Sequence, residues 1–249
     1  LEDLSLQGAL PTRNFQDGQF EGASRITGST MRDTILVGRE SCFACPIRCK
    51  RMVEVADDEY QVDREYGGPE YETMAAFGSN CGVDDLRAIA KANELCNAYG
   101  MDTIGTGMAV SFAMECAEAG LLSEADTGGL DLRFGNARVM VELTRMICER
   151  EGLGEVLAQG PAAAVAYIGP KAAAFSITVK NQPFPMHECR TRHGQALGYA
   201  VSPTGADHVH NFWDGGLAKD PPDETLQGLG IYEPVSQTEL NAAKVRAYM

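Results

Sequence analysis

An all-α fold is predicted for this chain from three observations. Apolar residues recur at helical spacing in several segments bounded by cap and stop residues, a single stretch alternates as a strand does, and no internal repeat divides the sequence. With 249 residues and 44% hydrophobic side chains, the chain can fill one large core or two smaller ones.

Residues 1–40 are rich in Gly, Asn, Gln, Asp and Thr around Leu10-Pro11-Thr12-Arg13-Asn14-Phe15, and read as loop packed across another element. Next comes Cys42-Phe43-Ala44-Cys45-Pro46-Ile47-Arg48-Cys49, a CxxCxxxC spacing. On a continuous helix these thiols would share one stripe, but Pro46 removes a backbone donor. The reading therefore puts Cys42 and Cys45 on a loop, Pro46 in the first turn of a helix, and Cys49 facing back. Val53-Glu54-Val55 is a short extended piece. Gly67-Gly68-Pro69 turns into a helix from about Glu70 to Phe77, with acidic groups at the end its dipole favours.

Asp84 and Asp85 start a helix to Tyr99 with Leu86, Ile89, Ala90 and Cys96 on its apolar side and Gly100 as its stop. The segment Met101 to Gly107 leads into a helix whose Val110, Ala113, Met114 and Ala117 form a stripe before Gly120. A helix from Gly135 to Glu151 aligns Met140, Leu143 and Ile147 and ends at Gly152; an Ala-rich one runs from near Pro161 to Tyr167. Phe175 to Lys180 is the strand, Gln195 to Ala200 a short helix, and 214–234 a long Gly-, Pro- and Asp-rich loop. Ser236 with Glu239 has the spacing of a capping box for a last helix.

Twenty-one basic against 35 acidic residues give a net charge of −14, which argues against nucleic acid or an anionic membrane as partner. No apolar run approaches the roughly 18 residues a membrane span needs, and no basic-then-apolar leader opens the chain, so a cytoplasmic location is expected. Cys81, Cys96, Cys116 and Cys148 sit singly in helical patterns and are expected to be small buried hydrophobes. The chain starts at Leu1 and stops at Met249 inside a growing helix, and is read as a piece of a longer polypeptide.

Four polar clusters carry candidate chemistry. Three close thiolates at Cys42, Cys45 and Cys49 suit a soft metal centre, and Arg48, Lys50 and Arg51 would offset a cluster's negative charge, so an iron–sulfur site is favoured. Structural zinc would want a fourth ligand, but the next cysteine is Cys81 and the first histidine His187. The order is also the reverse of the CxxxCxxC loop of radical S-adenosylmethionine enzymes. Glu70 and Glu72 fit helix-dipole complementation as well as catalysis. Asp102 and Thr103 could form an N-cap, and Gly105 and Gly107 open amides for an anion. The fourth cluster runs from His187 through Arg190, Arg192 and His193 to His210, and within it His208 lies in a turn and could titrate near neutrality.

Taken in order, Leu10 to Phe15, Cys42xxCys45xxxCys49, Gly68-Pro69-Glu70-Tyr71-Glu72, Tyr99-Gly100-Met101-Asp102-Thr103, Arg150-Glu151-Gly152-Leu153-Gly154 and Leu197-Gly198-Tyr199-Ala200 make the chain similar to the tungsten-containing aldehyde:ferredoxin oxidoreductases over nearly its full length. The resemblance implies the multi-helical domains of that family: a helical domain at 1–180 with the cysteine motif and the first pterin contact, and at 181–249 the start of a second one. An N-terminal β domain that carries the cofactor, and the end of the last domain, would lie outside the chain. It implies a tungsten (or molybdenum) bis-pterin and a [4Fe–4S] cluster in the parent protein, with Cys42, Cys45 and Cys49 as three cluster ligands and a fourth from a DxxGLC-like segment not found here. The chain by itself would then hold neither group intact, leave these cysteines as free or oxidised thiols, and be inactive.

By the same resemblance Asp102, with Thr103 and Gly105 nearby, matches a pterin contact. Arg190 stands where the family has an HDPR-like sequence, here His187-Glu188-Cys189-Arg190. His208 matches a histidine close to the metal, and Glu72, with Glu70 as its competitor, a carboxylate of the same pocket. The implied reaction oxidises an aldehyde to a carboxylic acid with ferredoxin as electron acceptor; a homodimer is left open. Reduction of an aromatic acyl-CoA thioester with the same cofactor is the alternative among enzymes, and a helical scaffold without metal binding the alternative outside them.

Overall fold

A computed structural model describes residues 1–210, 213–242 and 244–245. Helices make up about half of it, as expected, and every sheet is a two-stranded antiparallel hairpin. The architecture is a stack of helices around one buried member, with three small hairpins on its outside.

The opening stretch, expected as loop, contains α1 (Glu2–Leu6), α2 (Gly28–Thr34) and β1 (Leu36–Glu40). These elements are short enough to leave no periodicity, and α2 shows itself in sequence only by its N-cap, Thr27, which accepts the Thr30 amide. Between α1 and α2 the loop reading holds. Arg13, Asn14 and Phe15 all take positive φ, and the amides of Arg13 and Asn14 donate to the carbonyls of Ser79 and Asn80. Asn14 then donates to Glu115 Oε2 and to the Phe175 carbonyl, locking the turn across the helices.

β1 pairs with β2 (Lys50–Val53), and the CxxCxxxC loop is the connection between them. No helix follows Pro46. Ala44 and Arg48 adopt positive φ, and the Cys45 amide donates to the Cys42 carbonyl in a tight turn, so the chain doubles back into β2 at once. β3 (Val55–Ala56) pairs with β4 (Gln61–Val62), which makes the expected extended piece at 53–55 part of two hairpins.

α3 (Tyr71–Phe77), α4 (Leu86–Tyr99) and α5 (Thr103–Glu118) follow in quick succession. Asp85 and Asp102 cap α4 and α5 with their carboxylates, and Gly100 closes α4 in the left-handed region. The predicted stripe of α4 is buried. That of α5 is a correction: every residue from Thr106 to Met114 is buried, so α5 is the central helix and has no solvent face over this stretch. Gly107, read as part of an anion cradle, instead lets α5 touch α3. A Cβ there would stand 2.6 Å from that of Ala76.

After α6 (Glu124–Thr127), α7 (Ala137–Glu149) buries Met140, Leu143 and Ile147 as its period requires. Arg150 rather than Gly152 takes the left-handed closing position. α8 (Leu153–Leu157) and α9 (Pro161–Ile168) come next. The strand expected over 175–180 shrinks to β5 (Thr178–Val179), because Lys180 and Asn181 turn the chain at positive φ into β6 (Gln182–Pro183). Beyond it lie α10 (His193–Val201) and, in the stretch expected as continuous loop, α11 (Asp214–Leu217) and α12 (Glu224–Gly228). The capping box does not form. Ser236 sits in a turn, and Asn241 Oδ1 accepts the Lys244 amide; residues 243 and 246–249 of the expected helix fall outside the described part.

Two apolar clusters result. The large one runs from Leu10 to Met186, and a small one joins Leu217, Leu226, Ile231 and Val235. Among the described residues no helix is long and apolar enough to cross a membrane.

Candidate functional site

The site grows from the start of α3. Gly67 at positive φ and the Gly68 amide, which donates to the Arg51 carbonyl, bring the chain off β2 and aim the first turn of α3 toward the segment after β6. Tyr71 and Glu72 then grip one backbone unit from both sides. The Tyr71 hydroxyl donates to the Met186 carbonyl at 2.5 Å, and Glu72 Oε2 accepts the Met186 amide at 2.7 Å. Pro183 and Pro185 stiffen that segment, so the residue after Met186 has little freedom.

That residue is His187. Its Nε2 lies 2.7 Å from Glu72 Oε1; its ring stacks on Tyr71 at 5.4 Å and meets the edge of Trp213 at 4.5 Å. His208, from the turn after α10, completes the group, with Nε2 3.7 Å from the same Glu72 oxygen and its ring 4.8 Å from that of His187. Burial holds the His208 imidazole below the ordinary histidine range, and Glu72 and Asp207 only partly oppose this. Neutral His208 can accept a proton, and a carboxylate beside it can take another. Burial also raises the Tyr71 and Tyr199 hydroxyls above the ordinary tyrosine range and pushes the Cys189 thiol up to about 12, so these groups stay protonated around the pair.

His208 faces a cavity of about 300 Å³ that Asp102, Gln182, Pro185 and Asp207 also border. A neighbouring cavity of about 250 Å³ shares Asp102 and Gln182 and reaches Gly105 and Gly160. Two of the expected residues, Glu72 and His208, are thus in contact, and Asp102 shares a cavity wall with His208.

The other expected residues make no direct contact with the Glu72 and His208 pair. Asp102 accepts the amides of Ile104 and Gly105, and Gly105 leaves room for that carboxylate, since a Cβ would stand 2.9 Å from Oδ2. Thr103 exchanges a 2.9 Å hydrogen bond with Thr73 and ties α5 to α3. Glu70 turns outward into an ion pair with Arg51. Arg190 is forked onto Glu188, and also donates to the carbonyls of Phe15 and Gln16, which anchors the left-handed turn. It borders neither of the two cavities. Cys42, Cys45 and Cys49 lie exposed or half-exposed on the β1–β2 loop, and all eight cysteines are without disulfide partners.

Sequence reasoning placed His187 in a polar cluster without giving it a role, and missed Trp213. A single histidine carries little signal, and the clue was the rigid Pro183-Phe184-Pro185 stretch that delivers it.

Comparison with known proteins gives a family and a fold. Residues 2–248 match the family described as aldehyde ferredoxin oxidoreductase, domains 2 & 3. The chain is 38% identical over 216 residues to the tungsten-containing aldehyde ferredoxin oxidoreductase of Pyrococcus abyssi, covering 84% of this chain and 34% of that one. With the Pyrococcus furiosus protein of the same name it is 36% identical over 211 residues, with the same coverage. It also shares 27% identity over 205 residues with the WOR-like subunit of an aliphatic sulfonate oxidoreductase of Pyrococcus furiosus, covering 80% of this chain and 32% of the other. The chain therefore spans about a third of the length of these relatives. Among solved structures, the BamBC active-site complex of benzoyl coenzyme A reductase superposes with a TM-score of 0.57 at 22% identity, over 70% of this chain and 26% of that one, a likeness of fold.

Proposed function

The chain belongs to the aldehyde ferredoxin oxidoreductase family, in the part described as domains 2 and 3, and from that premise we propose that it supplies the proton-handling wall of an aldehyde-oxidising pocket. The observation that carries this reading is the contact between Glu72 and the His187–His208 pair beside the cavity that Asp102 borders.

The donor chemistry fits the groups the family implies. Three thiols at Cys42, Cys45 and Cys49, free of disulfides, fit three corners of a [4Fe–4S] cluster, and Arg48, Lys50 and Arg51 stand beside them in sequence. Asp102 and Gly105, on the walls of the two cavities, fit a polar, pterin-sized neighbour, with Thr103 behind them. When bound, a tungsten (or molybdenum) bis-pterin supplies a two-electron acceptor and the cluster a one-electron path toward ferredoxin.

An aldehyde and water give a carboxylic acid, two electrons and two protons. The chain's own residues manage the protons. Neutral His208 accepts one at Nε2 as water is activated, and Glu72 receives the other at Oε1, its second oxygen being held by Met186. Tyr71 fixes His187, and His187 fixes the edge of Glu72. Arg190 acts at a distance, keeping the 13–16 turn against Glu188. The separation of a large apolar cluster, Leu10 to Met186, from a small one, Leu217 to Val235, supports a helical domain at about 1–180 and the start of a second at 181–249, with Glu72 from the first and His187 and His208 from the second.

In the complete protein, His208→Ala is expected to lower aldehyde turnover by about 10²-fold while tungsten content is unchanged. Unchanged turnover overturns the assignment, and so does loss of the tungsten with the imidazole, which would mark a structural role.

A further inference from the structure

We propose that Glu72, His187 and His208 form a binding site for a divalent first-row cation of the zinc class. One ligand atom from each lies within 4.8 Å of the others. Glu72 Oε1 is 2.7 Å from His187 Nε2 and 3.7 Å from His208 Nε2. Bond lengths of about 2.0–2.2 Å to zinc place neighbouring tetrahedral ligands about 3.3 Å apart, so the two distances bracket the separation required.

Glu72 Oε1 is buried and His187 Nε2 stands 2.7 Å from it, so a carboxylate oxygen and an imidazole nitrogen are already held side by side away from bulk water.

The groups around the three ligands hold them in place. Met186 binds the other Glu72 oxygen, and Tyr71 binds the Met186 carbonyl. Tyr71 and Trp213 fix the His187 ring from its face and its edge. Outer partners of this kind set ligand orientation in metal sites and are worth a further 10–100-fold in affinity, roughly, when present. On the remaining side His208 opens on the cavity of about 300 Å³, which leaves a fourth position for water. Two imidazoles and one carboxylate with an open position suit Zn²⁺ or Fe²⁺ and not calcium or magnesium.

This inference uses the pocket of the proposed function, and a bound ion would block the proton transfers assigned to Glu72 and His208. It does not require the pterin, so the two can fail separately: tungsten content tests one, and cobalt binding to the complete protein prepared without tungsten tests the other. The competing site is the cysteine loop, and Co²⁺ distinguishes them, since thiolate ligation gives an intense near-ultraviolet charge-transfer band that nitrogen and oxygen ligands lack. Co²⁺ is titrated into the complete protein, prepared without tungsten and carrying Cys42→Ser, Cys45→Ser and Cys49→Ser, after its circular dichroism has shown it folded. We expect saturable visible absorption without the charge-transfer band, and binding at least about tenfold weaker in His187→Ala and in the near-isosteric Glu72→Gln, both with unchanged circular dichroism. Absence of the visible bands, a persisting thiolate band, or equal affinity in folded His187→Ala and Glu72→Gln would overturn the proposal.

Discussion

Asp214 and Lys244 form an ion pair at 2.7 Å with both side chains fully buried. The same carboxylate accepts the amides of Gly194 and Gln195, and so caps α10, while the ammonium also donates to the carbonyls of Ser236 and Gln237. One charge pair thus pins the start of α10 to the end of the chain, directly after the segment that carries His187. Removing Lys244 takes away the cation that offsets the buried Asp214 carboxylate, and breaking a buried pair in this way costs about 3–5 kcal/mol.

Lys244→Met is therefore expected to lower unfolding stability by about that amount in denaturant titrations. Adding Asp214→Asn, which removes the carboxylate's charge, should recover part of it. A single variant within about 0.5 kcal/mol of wild type would show that the pair is not the pin described.

Gly107 is expected to resist even a methyl group. The α3–α5 crossing leaves 2.6 Å to the Ala76 Cβ and 2.9 Å to its carbonyl carbon, and both helices are buried there. Gly107→Ala should destabilise by about 1–3 kcal/mol despite the better helix propensity of alanine. Calorimetry that finds the variant more stable than wild type would refute so close a crossing.

His208 makes stability depend on pH in a defined direction. Burial lowers its folded value below the unfolded value of about 6.5, so the unfolded chain takes up the proton first. Its contribution is complete above about pH 6.5 and declines as pH falls from there through the folded value. Thermal midpoints from about pH 7 to about pH 5 should drop more steeply in wild type than in His208→Gln. Parallel curves would show that this histidine is not held neutral.

Glu72→Gln keeps the shape of the side chain and removes its charge. In the complete protein it should cut aldehyde turnover by about 10²-fold at unchanged tungsten content. Glu70→Gln, which loses the ion pair with half-buried Arg51 and touches neither histidine of the site, should leave turnover within about a factor of two of wild type. Steady-state kinetics with a dye acceptor decides between the two carboxylates, and the reverse ranking would move the site.

The helices were legible where period and caps agree, as in α4 with Asp85, Gly100 and its buried Leu86–Cys96 face, or α7 with its Met140, Leu143 and Ile147 stripe. Short pieces such as α2 and α11 were not, since four to seven residues hold too little pattern to separate from loop. The strand at 175–180 was cut short by a turn that no glycine or proline announces, made by Lys180 and Asn181 at positive φ. In the site, Glu72 and His208 came from motif order, but their meeting depends on Met186, whose backbone joins Glu72 to His187 across more than a hundred residues. Arg190 stands by resemblance at the family's HDPR-like position, and its pairing with Glu188, two residues earlier, is visible only in three dimensions.

The central claim, that this chain walls the pocket of a tungstopterin oxidoreductase, is tested most directly by metal analysis of the complete protein purified without oxygen. The account predicts tungsten or molybdenum together with pterin, and iron in the amount of one [4Fe–4S] cluster. A folded, complete protein containing neither iron nor tungsten or molybdenum would contradict it.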